Sequence, residues 1–128
     1  MRVLKTKTFA RWSRKEHVHD ASLVAAVDEI RRGLVDARLG GGLVKKRVAR
    51  AGGGKSGGYR TLLATNLRDR WAFLYGFAKN ERDNVDDEEL SRLKSLAHVY
   101  MDMSEDTIGR LIKAGELIEV KHGESQTS

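Results

Sequence analysis

The stretch YRTLLATNLRDRWAFLYGFAK, residues 59–79, decides the fold class of this chain. It contains two runs rich in apolar, aromatic and β-branched residues, 59–66 and 70–79, and such runs are typical of β-strands. The second run is almost continuously apolar, as expected of a central strand that is buried on both faces. Because only residues 67–69 join the two runs, the stretch predicts an antiparallel hairpin.

Further strands are predicted on both sides of this hairpin. Residues 43–50 predict a strand that a glycine-rich loop connects to the hairpin; eight of the 13 glycines fall between Gly40 and Gly58. Residues 2–6 predict a short strand near the start of the chain, and residues 117–121 predict a final strand at an edge of the sheet.

Two helices are predicted before the sheet. Residues 8–14 form a short helix capped by Thr8, with Phe9 and Trp12 on its inner face. Asp20 is the predicted N-cap of a second helix that extends to about residue 34, where Gly33 and glycines 40–42 break it. The apolar stripe of this helix consists of Leu23, Val27, Ile30 and Leu34.

Two more helices are predicted after the sheet. Asp86 and Glu89 form the capping-box pattern at the start of the first. Ser104 starts the second, and Gly115 stops it. The apolar stripe of the first consists of Leu90, Leu93, Ala97 and Met101. This order predicts an α+β fold: a small antiparallel sheet with two N-terminal helices packed on it and a helical C-terminal extension.

Composition limits the classes of protein to which the chain can belong. Its 128 residues predict one domain over residues 1–121, followed by a disordered tail at 122–128. With no cysteine, disulfides, thiolate nucleophiles and cysteine metal sites are excluded. No apolar run could cross a membrane or serve as a signal peptide, so we expect a cytoplasmic protein without membrane partners. The net charge of +6 favours a polyanionic partner.

The segment AGGGKSGGYR, residues 51–60, suggests a nucleotide-binding loop, but its surroundings do not fit that function. The Walker pattern needs a glycine where this chain has Ala49. The loop should also lead into a helix, whereas the residues after Gly58 predict a strand. We therefore expect no nucleoside triphosphate site.

The same region predicts a cationic edge of the sheet. No acidic residue lies between Asp36 and Asp69, and the strand, glycine loop and second strand of residues 43–66 carry six basic residues: Lys45, Lys46, Arg47, Arg50, Lys55 and Arg60. Tyr59, Tyr75 and Phe77 could supply stacking faces beside these cations, and that combination binds single-stranded RNA. The alternative is a solvated basic hairpin without a ligand.

Two motifs in this region, KKRVARAGGGKSGGYR (residues 45–60) and YGFAKNE (residues 75–81), closely resemble the RelE/HigB-like toxins of bacterial toxin-antitoxin pairs. The resemblance extends over residues 5 to 121. It implies a RelE-like fold, a small antiparallel sheet preceded by two helices and followed by helical residues.

The resemblance also implies an activity and partners. Such a toxin is an mRNA interferase, an endoribonuclease that cuts messenger RNA, usually in the ribosomal A site. It is silenced by a co-encoded helix-turn-helix antitoxin of the HigA type, and the pair represses its own operator DNA. A ParE-like toxin that poisons gyrase shares the fold, and a non-catalytic RNA- or ribosome-binding module would carry the same basic residues; both remain alternatives.

Metal-independent RNA cleavage needs a base for the 2'-hydroxyl, cations for the phosphorane and a proton for the leaving oxygen. Arg60 matches the sheet arginine of the family and is the candidate for holding the scissile phosphate, with Arg47 as its companion. Like charge around Lys45, Lys46 and Lys55 favours a neutral amine, so that one of them could act in proton transfer. Arg50 and Tyr59 are further candidate RNA contacts.

The second motif adds four candidates. Lys79 could contact phosphate, Asn80 could contact RNA, and Glu81 could act as a base or orient an arginine. A plain turn with a salt bridge explains Asn80 and Glu81 nearly as well. Tyr75 could touch RNA, but regular alternation along one strand would place it among core aromatics: Trp71, Phe73 and Phe77. The four histidines lie far from both motifs, and we expect no metal and no cofactor.

Overall fold

The computed structural model describes residues 1–49, 58–82 and 84–121. The described elements are β1 (Arg2–Thr6), α1 (Lys7–Lys15), α2 (Asp20–Arg31), β2 (Ala37–Gly40), β3 (Leu43–Val48), β4 (Tyr59–Thr65), β5 (Arg70–Ala78), α3 (Asp87–Asp102), α4 (Glu105–Lys113) and β6 (Leu117–Glu119). They form the predicted α+β fold. The tail at 122–128, predicted to be disordered, lies outside the described residues. No helix in the described ranges is long and apolar enough to cross a membrane.

The six strands form one sheet in the order β2-β3-β4-β5-β1-β6. All neighbouring pairs are antiparallel except β1 and β5, which run parallel. The predicted hairpin is confirmed as β4 and β5, and the predicted edge strand is confirmed as β6, which pairs with β1. The long apolar β5 therefore lies inside the sheet, as its composition indicated.

Helices cover both faces of the sheet. On one face, residues of α1 and α2 pack against the sheet; the buried members of this cluster include Phe9, Leu23, Val27, Ile30, Leu63, Trp71 and Phe73. On the other face, α3 and α4 pack against Leu43, Leu62 and Ala72 through Leu93, Ala97 and Ile108. The adjacent residues Leu62 and Leu63 belong to opposite clusters because successive strand side chains point to opposite faces.

The N-caps predicted for the first two helices, α1 and α2, are wrong by two residues and by one residue, respectively. The first helix is capped by Thr6, whose hydroxyl oxygen accepts a hydrogen bond of 3.0 Å from the backbone N–H of Phe9. Thr6 takes this role because β1 leads directly into α1. In the second helix His19 occupies the cap position and Asp20 is already helical. The Asp20 carboxylate instead binds the amine of Lys5 at 2.7 Å.

The segment between α2 and β3 differs from the prediction. The helix ends at Arg31, and Leu34, expected on its apolar stripe, is 55% exposed. Strand β2 was not predicted. Glycines 40–42 all have positive φ and turn the chain from β2 into β3, instead of simply ending a helix.

The two C-terminal helices are confirmed with their caps. The Asp86 carboxylate accepts a hydrogen bond of 2.8 Å from the backbone N–H of Glu89. The Glu89 carboxylate in turn accepts one of 3.2 Å from the backbone N–H of Asp86. The Ser104 hydroxyl accepts a bond of 3.1 Å from the N–H of Thr107. Gly115, with a positive φ of 82°, follows the end of α4 as predicted.

A β-bulge in β5 changes the face on which its later residues lie. Leu62 pairs with Tyr75 and Leu63 pairs with Phe73, so that Leu74 has no partner of its own in β4. Tyr75 consequently packs beside the α3 and α4 cluster, whereas Trp71 and Phe73 belong to the opposite cluster. The prediction that all four aromatic residues of β5 share one face is therefore wrong.

Candidate functional site

The sheet register gathers basic and aromatic side chains on the face that α3 partly covers. Arg47 is paired with Arg60, and Arg60 with Phe77. The next row consists of Lys45, Leu62 and Tyr75. Because paired residues and residues two apart share a face, these two rows form one surface. Together with Arg82, which lies over Phe77, we call it the basic face: Lys45, Arg47, Arg60, Tyr75, Phe77 and Arg82.

Arg60 has the most distinctive environment on the basic face. Its side chain is half-buried at the start of β4. The guanidinium atom Nη1 is buried and has no hydrogen-bond partner within residues 1–49, 58–82 and 84–121. An unpaired buried donor costs about 1–3 kcal/mol, and more when it is charged. An anion bound here would satisfy it.

Arg47 lies next to Arg60 but is held by an acid. Its Nε donates to Oδ1 of Asp36 at 2.8 Å, and its backbone N–H donates to the other carboxylate oxygen. Asp36 in turn donates its own N–H to the carbonyl of Lys45 at 3.1 Å. Sequence reasoning noted Asp36 only as the last acid before the basic segment, and did not identify it as the partner that orients Arg47.

Arg82 forms one side of the basic face and was missed from the sequence. Its Nη2 lies 2.6 Å from Oε1 of Glu89, and its Nη1 donates to the hydroxyl of Tyr75 at 3.2 Å. Its guanidinium carbon stands 5.9 Å from the centre of the Phe77 ring. Its position in the sequence could have indicated a place in the site, because Arg82 directly follows Glu81, the last residue of the second motif.

The pair of Arg82 and Glu89 is electrostatically coupled. The hydrogen bond from Arg82 lowers the pKa of the Glu89 carboxyl below its ordinary value. The same contact raises the pKa of Arg82. Both groups therefore keep their charges at neutral pH. The capping box at the start of α3 fixes Glu89, and through it the position of Arg82.

Two aromatic candidates have different environments. Tyr75 is half-buried, with its ring 6.0 Å from that of Phe77. Tyr59 lies on the opposite face and is only 3% exposed. Its hydroxyl lies 3.1 Å from a carboxylate oxygen of Glu16, and its ring makes an edge contact with Trp12 at 5.3 Å. The geometry thus brings Tyr75 to Arg60 and keeps Tyr59 in the core as a packing residue.

Lys46 also lies away from the basic face. Its amine is 2.7 Å from Oε1 of Glu29 and donates to the carbonyl of Leu34 at 2.8 Å. Only 6% of its side chain is exposed. The pairing of Lys46 with Thr61 places it on the α2 side, where it joins β3 to the end of α2. The structure does not bring this lysine to Arg60.

The remaining candidates lie at the end of β5 or outside the described ranges. Lys79 and Asn80 are exposed in the turn after β5, and the N–H of Lys79 donates to the carbonyl of Gly58 at 3.4 Å. Glu81 is exposed, and its carboxylate accepts from the N–H of Ala78 at 3.4 Å. Arg50 and Lys55 lie outside the described residues.

The chemistry of the basic face is that of an anion site. It offers guanidinium groups with fork geometry, a lysine and the half-buried phenol ring of Tyr75, and such groups bind phosphate and stack on a base. Phe77 is only 3% exposed and lies beneath Arg82, so its ring packs inside the face. No group of three or more histidine or acidic side chains within the described segments could hold a metal ion.

The chain matches the family model described as the RelE toxin of the RelE/RelB toxin-antitoxin system. The match extends over residues 1–120 and so includes every residue of the basic face. No curated protein matches the chain.

Proposed function

The chain belongs to the RelE toxin family of toxin-antitoxin systems, and we propose that it acts as an endoribonuclease that cuts messenger RNA without a metal ion. The observation that carries this proposal is the buried Nη1 of Arg60, which has no hydrogen-bond partner within the described residues and lies in the strand rows that also contain Arg47 and Tyr75. A phosphodiester with an adjacent base would satisfy these groups together.

Cleavage in this site proceeds by attack of the 2'-hydroxyl oxygen on the adjacent phosphorus. The hydroxyl proton passes to a base, the bond from phosphorus to the 5'-oxygen breaks, and that oxygen takes a proton. The products are a 2',3'-cyclic phosphate and a 5'-hydroxyl. Charge accumulates on the phosphorane oxygens in the transition state, and cations fixed in advance around them lower the barrier.

Phosphate binding and charge stabilisation are assigned to arginines of the basic face, and proton transfer to the other candidates. Arg60 binds the scissile phosphate through Nη1, which has no partner in the part of the chain that the structure describes, and Arg47, oriented by Asp36, supplies the second positive charge. Arg82 stands beside Tyr75 and stabilises the same anion. The base and the acid come from the remaining titratable candidates: Lys45, Lys55, Lys79 and Glu81. Lys46 has no part in this scheme because it is paired with Glu29.

The partners follow from the family. A RelE toxin is paired with an antitoxin, which we propose to be a helix-turn-helix protein of the HigA type that also ties the complex to its operator DNA. We further propose that cutting takes place on messages in the ribosomal A site, in the cytoplasm. A helix-turn-helix reading frame beside this gene would support the antitoxin assignment.

The test is the substitution Arg60→Ala, produced without antitoxin and assayed by primer extension on a reporter message. Removing one preorganised donor of this kind reduces the rate by about 100-fold or more. Arg68→Ala is the matched control, since Arg68 is an exposed arginine in the turn between β4 and β5. We expect Arg60→Ala to abolish cutting with an unchanged circular dichroism spectrum, and Arg68→Ala to cut normally.

Growth arrest by the unmodified protein with intact messages would contradict the nuclease proposal. In that case topoisomerase assays would distinguish a gyrase poison from a protein that only binds RNA or the ribosome.

A further inference from the structure

A groove of about 490 Å³ lies beside the last residues of β5. It is lined by α1, by residues 74–77 of β5, and by Glu81 and Arg82. We call it the β5-edge groove. Arg47 and Arg60 do not line it, whereas Tyr75, Gly76, Phe77 and Glu81 of the second motif do.

The groove exists because β1 is shorter than β5. Strand β1 pairs with β5 only as far as Phe73, and the chain then turns into α1. Within the described residues, no strand pairs with this side of β5 beyond Phe73. Trp12 of α1 lies directly against Gly76, where a Cβ atom would overlap its ring. The helix therefore forms one wall, and the open edge of β5 forms the floor.

The charge of the groove is positive. Arg11 and Lys15 lie one turn apart on α1, both exposed, and neither side chain has a hydrogen bond or ion pair within residues 1–49, 58–82 and 84–121. Arg82 is a third cation of the lining, and Glu81 is its only acidic residue among those that the structure describes. Uncompensated cations at helical i, i+4 spacing favour an extended polyanion over a neutral peptide.

The groove is continuous with the basic face. Tyr75, Phe77 and Arg82 belong to both. An RNA chain whose scissile phosphate lies on Arg60 can therefore pass over Arg82 and Tyr75, around the open edge of β5, and reach α1. This continuity and the charge together identify the occupant.

We propose that the β5-edge groove binds the nucleotides next to the cleaved phosphodiester, with Arg11 and Lys15 contacting their phosphates. This inference rests on the proposed function, because it assigns the groove to the same RNA. It makes Arg11 and Lys15 binding residues that act on affinity and have no part in bond breaking.

The test measures equilibrium binding of 2'-O-methyl oligoribonucleotides, which cannot be cut, by fluorescence anisotropy at several salt concentrations. A trinucleotide fills the basic face alone, whereas a hexanucleotide also enters the groove. The double variant R11Q/K15Q should bind the trinucleotide like the unmodified protein but lose the extra affinity for the hexanucleotide. The slope of log affinity against log salt for the hexanucleotide should fall by about 1.4, which is two phosphate contacts at about 0.7 each.

The control is R14Q/K113Q, which removes the same charge from exposed positions that do not line the groove. It should keep the gain with length. Equal losses in both double variants would show an effect of net charge only and overturn the proposal, as would the absence of any gain with length in the unmodified protein.

A third outcome would also overturn the proposal. If R11Q/K15Q bound both oligonucleotides normally but escaped neutralisation by its antitoxin, the groove would be a protein-binding surface. These measurements do not depend on cleavage. Intact messages in the primer-extension assay would therefore count against the nuclease activity without affecting the groove, and a failed length test would leave the nuclease activity standing.

Discussion

Arg47 and Arg60, which are paired across β3 and β4, have different environments because their guanidinium groups have different partners. Arg47 is fixed by Asp36 through its side chain and its backbone N–H. Arg60 has a buried nitrogen without a partner in the described part of the chain. An arginine that is already paired supplies a fixed positive charge, whereas one with a free buried donor gains most from binding an anion.

Gly76 of β5 lies directly against the Trp12 ring of α1, and its substitution gives a prediction about stability. We expect Gly76→Ala to lower the free energy of unfolding by about 1–3 kcal/mol, since the new methyl group overlaps the Trp12 ring. Gly109→Ala is the control: Gly109 is inside α4 with no atom near a new Cβ. That substitution should raise stability by about 0.5–1 kcal/mol. Urea denaturation measures both, and equal stability of the two variants would contradict the tight contact.

The strands and helices of this fold could largely be predicted from sequence because each has its own local signal. The β4–β5 hairpin follows from two apolar runs and a short link, and α3 follows from a capping box. Strand β2 was missed because it has only four residues and little apolar character. Its existence depends on pairing with β3 across the glycine turn, which is a tertiary effect.

The bulge at Leu74 is the element that sequence reasoning could least predict, and it creates the basic face. Strict alternation places Tyr75 with Trp71 in the core, and only the register of β4 against β5 shows the shift. Without the extra residue, Tyr75 and Phe77 would lie on the α1 side, away from Arg60. The motifs therefore identified Arg60 and Arg47, whereas the environments of Tyr75, Tyr59 and Lys46 required the structure.

The junction of α3 and α4 is organised around one buried arginine. Arg70, 8% exposed, donates to the carbonyls of Tyr100 at 2.9 Å and Met103 at 2.6 Å, and its other nitrogen binds Glu105. The carbonyls at the end of α3 and a carboxylate at the start of α4 thus share one cation. Arg70 thereby fixes the two C-terminal helices against β5.

This junction predicts a pH dependence of stability. The contact with Arg70 lowers the pKa of Glu105 below its ordinary value of 4.5. A depressed carboxyl pKa stabilises the fold above the unfolded value, and the contribution is lost as pH falls through the folded value. Glu105→Gln should therefore be less stable than the unmodified protein at neutral pH, and the difference should shrink as the pH falls below 4.5.

Asp106→Asn is the control for this prediction, since it removes a charge from the same first turn of α4 without a contact to Arg70. Denaturant unfolding at a series of pH values measures both variants. A difference between Glu105→Gln and the unmodified protein that stays constant into acid would show that the Arg70 contact does not depend on the carboxylate charge.

Over the whole molecule, the net charge of +6 overstates the positive charge available to RNA. Several cations near the basic face already have carboxylate partners: Arg47 with Asp36, Lys46 with Glu29, and Arg82 with Glu89. Lys45 and Arg60 have no such partner within the described residues. Counterions are released from the RNA phosphates mainly by lysines and arginines that are exposed and unpaired, so the salt dependence of binding reports which of these side chains reach the RNA.

The adjacent residues Lys45 and Lys46 give the sharpest form of this prediction, because they carry the same charge on opposite faces of β3. Lys45→Ala should reduce the slope of log RNA affinity against log salt by about 0.7, the value of one phosphate contact on a single strand. Lys46→Ala should leave the slope unchanged but lower the free energy of unfolding by about 1–3 kcal/mol, since it removes a nearly buried amine that binds Glu29 and the carbonyl of Leu34. Oligonucleotide titrations and urea denaturation measure the two effects. Equal changes in slope would mean that the RNA responds to the overall field of the molecule and not to the basic face.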